Sequence, residues 1–264
     1  MAIRVLVTGA LGKMGREAAK AVEQDGAFAL CALVDPRGDG VLKSQVTGEK
    51  AGDFALDVDL AAALEKNPQV MVDFTNPKAV YQNAQAALKK KVHCVIGTTG
   101  LSEAEIAELG VLAEENGVAV AIIPNFAIGA VLMMQFAQKA ARFMPQAEII
   151  ELHHDQKMDS PSGTAMTTAQ MIASSRQEAG KNDREEIMKL AGARGAELEG
   201  VHIHSVRLQG LVAHQEVIFG GLGQSLTIRH DSYDRVGFMP GVVLAAKKIP
   251  EKAGLVRGLE SFME

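Results

Sequence analysis

Apolar residues follow two rhythms along this chain, and the change between them divides it. Up to about residue 126, short apolar runs at residues 3–7, 29–34, 70–74, 93–96 and 118–123 alternate with stretches of helical periodicity. The helical stretches are EAAKAVEQD (17–25), KAVYQNAQAALKKK (78–91) and LSEAEIAELGVLAEEN (101–116), the last with Ser102 as N-cap and Glu105 completing a capping box. Strands alternating with helices at this spacing predict a doubly wound parallel sheet. After about residue 127 the pattern changes. AIGAVLMMQFAQKAARFM (127–144) reads as a long amphipathic helix, AEIIELHHD (147–155) as a strand, and Pro161-Ser162-Gly163-Thr164 opens a second helix, AMTTAQMIAS. From residue 201 the period shortens to two, in VHIHSVRL, HQEVIFGG and QSLTIRHDSY, with glycine-rich turns between them. That predicts an antiparallel or mixed sheet packed on the two helices. The segment 240–262 reads as helical again and as returning to the first domain. Residues 36–66 offer one short helix candidate at 59–67, and residues 175–200 no usable motif.

Composition narrows the class. With 264 residues, 47% hydrophobic and 22% charged, the chain can bury a full core in one or two domains. A net charge of −5 without a Lys/Arg block argues against nucleic-acid or anionic-membrane partners. The apolar runs stop well short of the roughly 20 residues that span a bilayer. The N-terminus enters a strand directly and carries no signal-peptide pattern. Cys31 and Cys94 lack CxxC or metal-ligand spacing, so reduced core thiols, a cytoplasmic location and no metal are expected.

The first chemistry lies in the opening turn. The strand at 3–7 feeds Thr8-Gly9-Ala10-Leu11-Gly12-Lys13-Met14-Gly15-Arg16, and a helix follows. Glycines at 9, 12 and 15 depart from the G-x-G-x-x-G fingerprint but keep its physics, since they let a pyrophosphate approach backbone N–H groups at a helix start. Asp35 ends the second strand twenty residues after Gly15, where adenosine ribose hydroxyls are held in dinucleotide-binding folds. Arg37 could meet a 2′-phosphate, which Asp35 would repel, so the pair suggests NADH with NADPH tolerated. Gly97-Thr98-Thr99-Gly100 and Pro124-Asn125-Phe126 follow later strands, at the carboxyl ends where open α/β sheets bind ligands. The bland alternatives are an ordinary tight turn and a helix cap.

The densest stretch is ELHHDQKMDSPSGTAMT (151–167), which offers a proton donor or acceptor, an ammonium at Lys157 and a helix start suited to a carboxylate or phosphate. It reads as an active-site loop for a small anionic substrate. His202 and His204 share one face of their strand, Ile203 and Ser205 the other. These two, with His214 and His230, read as polar strand residues, not metal ligands. The residues alone also admit another Rossmann oxidoreductase or a non-catalytic NAD(P)H sensor.

VTGALGKMGRE, DFTNP, GTTGL, PNFAIGA, ELHHDQKMDSPSGTA and HSVRLQGLVAHQEVIFGG, in that order over nearly the whole chain, resemble the 4-hydroxy-tetrahydrodipicolinate (dihydrodipicolinate) reductase family of bacterial lysine and diaminopimelate synthesis. The resemblance implies a Rossmann-like α/β domain, residues 1–126 plus about 236–264. It implies a second α+β domain with a mixed sheet, residues 127–235, for substrate binding and oligomerisation. It also implies a cytoplasmic homotetramer that reduces a cyclic imine dicarboxylate with NADH and/or NADPH. Carried over by position, His153 is the proton donor or acceptor and Lys157 the catalytic cation. His154, Lys157, Ser162, Gly163 and Thr164 hold the substrate carboxylates. The cofactor contacts fall on Gly9, Ala10, Leu11, Gly12, Lys13, Met14, Asp35, Arg37, Gly97, Thr98, Thr99, Pro124, Asn125 and Phe126, and on Arg235, which falls near a family arginine between the domains.

Overall fold

The computed structural model describes residues 1–176 and 187–263. They form two compact units, Met1–Ala127 with Phe238–Glu264, and Ile128–Gly237.

The first unit holds a six-stranded parallel sheet. Its strands are β1 (Ile3–Thr8), β2 (Phe28–Val34), β3 (Val70–Asp73), β4 (His93–Ile96), β5 (Ala119–Ile122) and β11 (Gly254–Arg257), in the order β11-β5-β4-β3-β1-β2. Val5–Val7, Val70–Val72 and Ala119–Ala121 are buried throughout. Helices cover both faces of the sheet, so its strands are continuous apolar runs without alternation. On one face Leu6, Met71 and Val120 pack with Val80, Ala84 and Leu88 of α4 (Val80–Lys89) and Leu109 and Ala113 of α5 (Glu103–Asn116). On the other lie α1 (Lys13–Gln24) and α8 (Met239–Lys248). Ser102 caps α5 and Glu105 answers it, as the sequence predicts. The chain runs from β1 outward to β2 and then returns to β3 on the other side. The strand order therefore reverses between β1 and β3, where such sheets open a crevice at their carboxyl ends.

Two local expectations need correction. The segment 240–262 is α-helical only at its start, with short 3-10 turns at Ile249–Glu251 and Glu260–Phe262. Gly254–Arg257 pairs in parallel with β5 and supplies the sixth strand. A four-residue strand that starts at Gly254 (φ +69°) and stops before Gly258 (φ +72°) is too short to show a period, and the open edge of β5 decides its state. Residues 36–66 hold two short helices, α2 (Lys43–Thr47) and α3 (Leu60–Leu64), and only α3, capped by Asp59, falls on the expected candidate.

The second unit is a mixed five-stranded sheet under two helices, α6 (Ile128–Ala141) and α7 (Gly163–Ser175). The strands are β6 (Gln146–His153), β7 (Ala196–Leu198), β8 (Val201–Arg207), β9 (Ala213–Gly221) and β10 (Gln224–Ser232), ordered β10-β9-β6-β8-β7. Among the described strands of this sheet only the β6–β8 pair is parallel, and α7 lies on the crossover that joins them. Ile149, Ile203, Val217 and Phe219 pack against Met133, Ala137, Ala165, Ala169 and Ile172 of the helices. Of the stretch 175–200, β7 adds an edge strand, and residues 177–186 lie outside the described residues.

Candidate active site

In the first unit, the glycine turn is held shut by close backbone approach. A Cβ on Gly9, whose φ is +72°, would sit 2.3 Å from the Phe74 carbonyl oxygen, and one on Gly15 would sit 2.0 Å from that of Gly9. Only glycine fits either place. The turn leads into α1 through Gly12, which has no capping side chain, and no acid occupies the first helical turn. Lys13, Met14 and Gly15 therefore begin a helix whose N–H groups and partial positive charge suit an anion.

Under the turn sits Asp73, fully buried at the end of β3. Its Oδ1 accepts from Thr75 N (3.0 Å), Thr75 Oγ1 (2.7 Å) and Thr98 Oγ1 (2.7 Å), and its Oδ2 from Thr8 Oγ1 (2.8 Å) and Asn83 Nδ2 (3.0 Å). One carboxyl group thus ties together the carboxyl ends of β1, β3 and β4. Gly97 leaves room for the Phe74 ring, which lies 5.6 Å from the Phe126 ring. Thr98, Thr99 and Pro124 line a cavity of about 170 Å³ with Ile96 and Ile122. The Asn125 side chain accepts from Ala127 N and shapes the turn after β5.

Asp35 is held on both of its oxygens. Arg37 grips it with Nε and Nη2 at 3.0 and 3.1 Å, and Arg37 N and Leu11 N donate to it as well, both at 3.1 Å. Burial raises its pKa, but these four donors outweigh that and leave it below the ordinary aspartate value.

In the second unit, strand alternation and register build the chemistry. On the helix-covered face, Ile149 lies between Ile203 and Val217, Glu151 between Ser205 and Gln215, and His153 between Arg207 and Ala213. The rows thus pass from apolar to polar to ionic toward the carboxyl end of β6. Glu151 is buried, and the Arg207 guanidinium holds it at 2.7 and 2.9 Å. Ser162 N points at its Oε1 from 3.3 Å, and His153 Nδ1 lies 2.5 Å from its Oε2. Burial pushes the Glu151 carboxyl up, while Arg207, Ser205 and His153 more than offset it and hold the group below the ordinary range. Burial is also the largest influence on His153. It keeps the imidazole below its usual 6.5 with help from Lys157 and Arg207, and Glu151 opposes them.

Arg207 Nη2 also donates to the Asp159 carbonyl (2.7 Å), pinning the loop that carries Lys157. The Lys157 ammonium is paired with the Asp159 carboxylate at 2.7 and 2.8 Å, which lowers the pKa of that acid. The loop turns through the cis Ser160–Pro161 bond into α7, where Ser162 Oγ accepts from Ala165 N (3.2 Å) as N-cap. His153, Lys157 and the Ser162–Thr164 helix mouth are thus joined by one network through Glu151, Arg207 and Asp159. His154 points to solvent, and Arg235 is exposed on the 3-10 turn Arg235–Phe238. Sequence reading missed Asp73, Glu151 and Arg207 as site residues. The signal for Glu151 was present, because an acid two positions before a strand histidine shares its face. Arg207 could be found only from the register of β6 with β8.

His204 meets Glu148 (2.8 Å) on the sheet's other face, and His214 meets Asp231 (2.7 Å). Among the described residues no helix is long and apolar enough to cross a membrane.

A parallel sheet with a glycine-cradled helix start at its switch point places the chain among Rossmann-type dinucleotide-binding oxidoreductases. The chain belongs to the dihydrodipicolinate reductase family. The family's N-terminal model matches residues 3–126 and its C-terminal model residues 129–263. A 4-hydroxy-tetrahydrodipicolinate reductase of Syntrophomonas wolfei is 58% identical over 261 residues, 98% of each chain. One from Geobacillus kaustophilus is 49% identical over the full length of both. The structure of a dipicolinate-bound dihydrodipicolinate reductase from Paenisporosarcina sp. TG-14 superposes with a TM-score of 0.88 at 44% identity, covering 99% of both chains. An amine dehydrogenase of Mycobacterium smegmatis, at 15% identity and TM-score 0.69, shares the fold.

Proposed function

We propose that the chain reduces 4-hydroxy-tetrahydrodipicolinate to tetrahydrodipicolinate with NADH or NADPH, in lysine and diaminopimelate synthesis. The observation that carries the reading is the single network that presents an imidazole, an ammonium and a helix N-terminus within the second unit. The first unit fits the cofactor. Gly9 and Gly15 let the turn close tightly on its own backbone, α1 opens without a side-chain cap, and Thr98, Thr99 and Pro124 line a cavity past the carboxyl ends of β4 and β5. Ala10 to Met14 would meet the pyrophosphate, Asp35 and Arg37 the adenosine ribose, and Gly97 to Thr99 with Pro124 to Phe126 the nicotinamide side. Arg235 is assigned to the cofactor on family position alone.

Bound there, a reduced nicotinamide supplies hydride to a ring carbon conjugated with the C=N bond, after the substrate has lost its hydroxyl as water. His153 gives the proton that the resulting enamine takes up, a role suited to an imidazole. Lys157 and the N–H groups at Ser162 to Thr164 hold the two carboxylates, with His154 at the rim. Because Asp159 already neutralises Lys157, a substrate carboxylate must compete for that ammonium.

The relatives' names and full-length identity support the substrate. The half-buried Ile150 and Ile218, on the sheet face away from α6 and α7, support assembly through that face into the expected homotetramer. Location in the cytoplasm is part of the same proposal. The test is an absorbance assay with freshly generated 4-hydroxy-tetrahydrodipicolinate and each nicotinamide. Consumption that depends on substrate is expected, and its absence with both cofactors would remove the assignment. Sedimentation should give four times the chain mass.

A further inference from the structure

We propose that Glu151 is a positioning residue for His153, fixing the imidazole's orientation and tautomer so that Nε2 is the atom that carries and gives the proton. The inference rests on the proton-donor role assigned to His153 above.

Three observations carry it. Glu151 and His153 share a face of β6 two residues apart, and Nδ1 lies 2.5 Å from Oε2. An acceptor-only carboxylate there selects the Nδ1–H form and leaves Nε2 turned away from Glu151. Next, Glu151 is itself immobilised. Arg207 takes both of its oxygens, Ser162 N approaches Oε1, and all of this lies in the buried second row of the sheet. A side chain held on both oxygens cannot swing away when the histidine changes charge. Finally, a buried ion pair is a poor way to stabilise a fold, since apolar residues of similar volume commonly do as well. The Arg207 fork supplies two donors to a carboxylate with about four lone-pair sites, and the sheet brings an imidazole to one of the others.

The charged groups facing His153 are Glu151 on its own strand, Arg207 on β8 and Lys157 in the loop, and β9 places only Ala213 opposite. Glu151 is the one anion among these. Removing its charge destabilises the imidazolium and moves its titration to lower pH.

The experiment compares wild type, Glu151→Gln and His153→Ala. Side-chain 15N NMR of the wild-type enzyme should show neutral His153 as the Nδ1–H tautomer. Glu151→Gln should lower kcat by about 10- to 100-fold, a share of what general acid catalysis contributes. The dinucleotide KM should stay within about twofold, because the substitution lies outside the dinucleotide unit. The basic limb of kcat/KM should shift to lower pH. An Nε2–H tautomer in wild type overturns the proposal, whether or not the variant folds. So does a variant with unchanged kcat, or one whose rate falls while the basic limb stays fixed, which marks a merely structural acid. Full activity in His153→Ala would remove the donor assignment and this inference together. Loss there with a normal Glu151→Gln would remove the inference alone.

Discussion

Two buried carboxyl groups, one in each unit, organise the ends of their sheets by opposite means. Asp73 is enclosed by five neutral donors from Thr8, Thr75, Asn83 and Thr98. Glu151 is enclosed by a guanidinium, an imidazole and a backbone N–H. A neutral cage fixes where three strand ends stop and carries no titrating partner, which suits a site that recognises its ligand through backbone and shape. A charged cage responds to protons and to incoming anions, which suits a site where a proton moves. In the proposed function the contrast divides the labour: the neutral cage braces the strand ends on the dinucleotide side, and the charged cage holds the proton donor.

The largest effect that would sharpen this contrast is on Lys157. Lys157→Ala should lower turnover by roughly 10²- to 10³-fold, the loss typical of one preorganised charge donor. Binding of NADH, followed by fluorescence titration, should persist. If binding collapses and turnover per bound cofactor is normal, the division of labour is wrong.

Asp73→Asn should act the other way. An amide would turn an N–H pair toward donors that expect an acceptor, leaving buried groups unpaired at about 2 kcal/mol. Denaturant unfolding should show that loss, and dinucleotide affinity should fall as the turns loosen. The rate at saturating ligands should stay close to wild type. A selective loss of kcat with intact stability would mean that Asp73 belongs to the chemistry.

A smaller effect distinguishes the units by pH. His153 is held below its usual 6.5, so the unfolded chain takes up its proton first as pH falls. Its contribution to stability is therefore present above pH 6.5 and is lost as pH falls from there through the folded-state value. Between pH 7.5 and 5.5 wild type should lose more Tm than His153→Gln, by about 1 °C. Equal slopes would show that the imidazole does not feel its cage.

The sequence shows the local part of each site and hides the two buried carboxyl groups at their centres for a physical reason. Gly9, His153, Lys157 and Ser162 sit in motifs of a few residues, and Asp35 stands twenty residues after Gly15 at the end of its strand, so spacing reveals them. The strand runs of the first unit are legible because burial on both faces makes them uniformly apolar. Arg207 meets Glu151 only because β8 pairs in parallel with β6, a register that a separation of 56 positions does not encode locally. β11 is a strand because β5 offers it an edge. The charge of Asp35 was legible, but its saturation by Arg37 was not.

That saturation gives the smallest and most specific prediction. A carboxylate has about four lone-pair sites, and Asp35 meets four donors: Arg37 N and Nε on Oδ1, Arg37 Nη2 and Leu11 N on Oδ2. A ribose hydroxyl can therefore bind Asp35 well only if the Arg37 side chain, which is largely exposed, lets go. A 2′-phosphate would instead draw the same guanidinium off the acid and leave Asp35 to repel it. Arg37 is thus expected to oppose one cofactor and assist the other. Arg37→Ala should tighten NADH and weaken NADPH, each by about two- to fivefold, the scale of a solvent-screened charge contact. The measurement is the ratio of the two KM values at several salt concentrations. The shift should shrink as salt rises. A ratio unmoved at low salt would mean that the Asp35–Arg37 pair takes no part in choosing the nucleotide and serves only to brace the turn at Leu11.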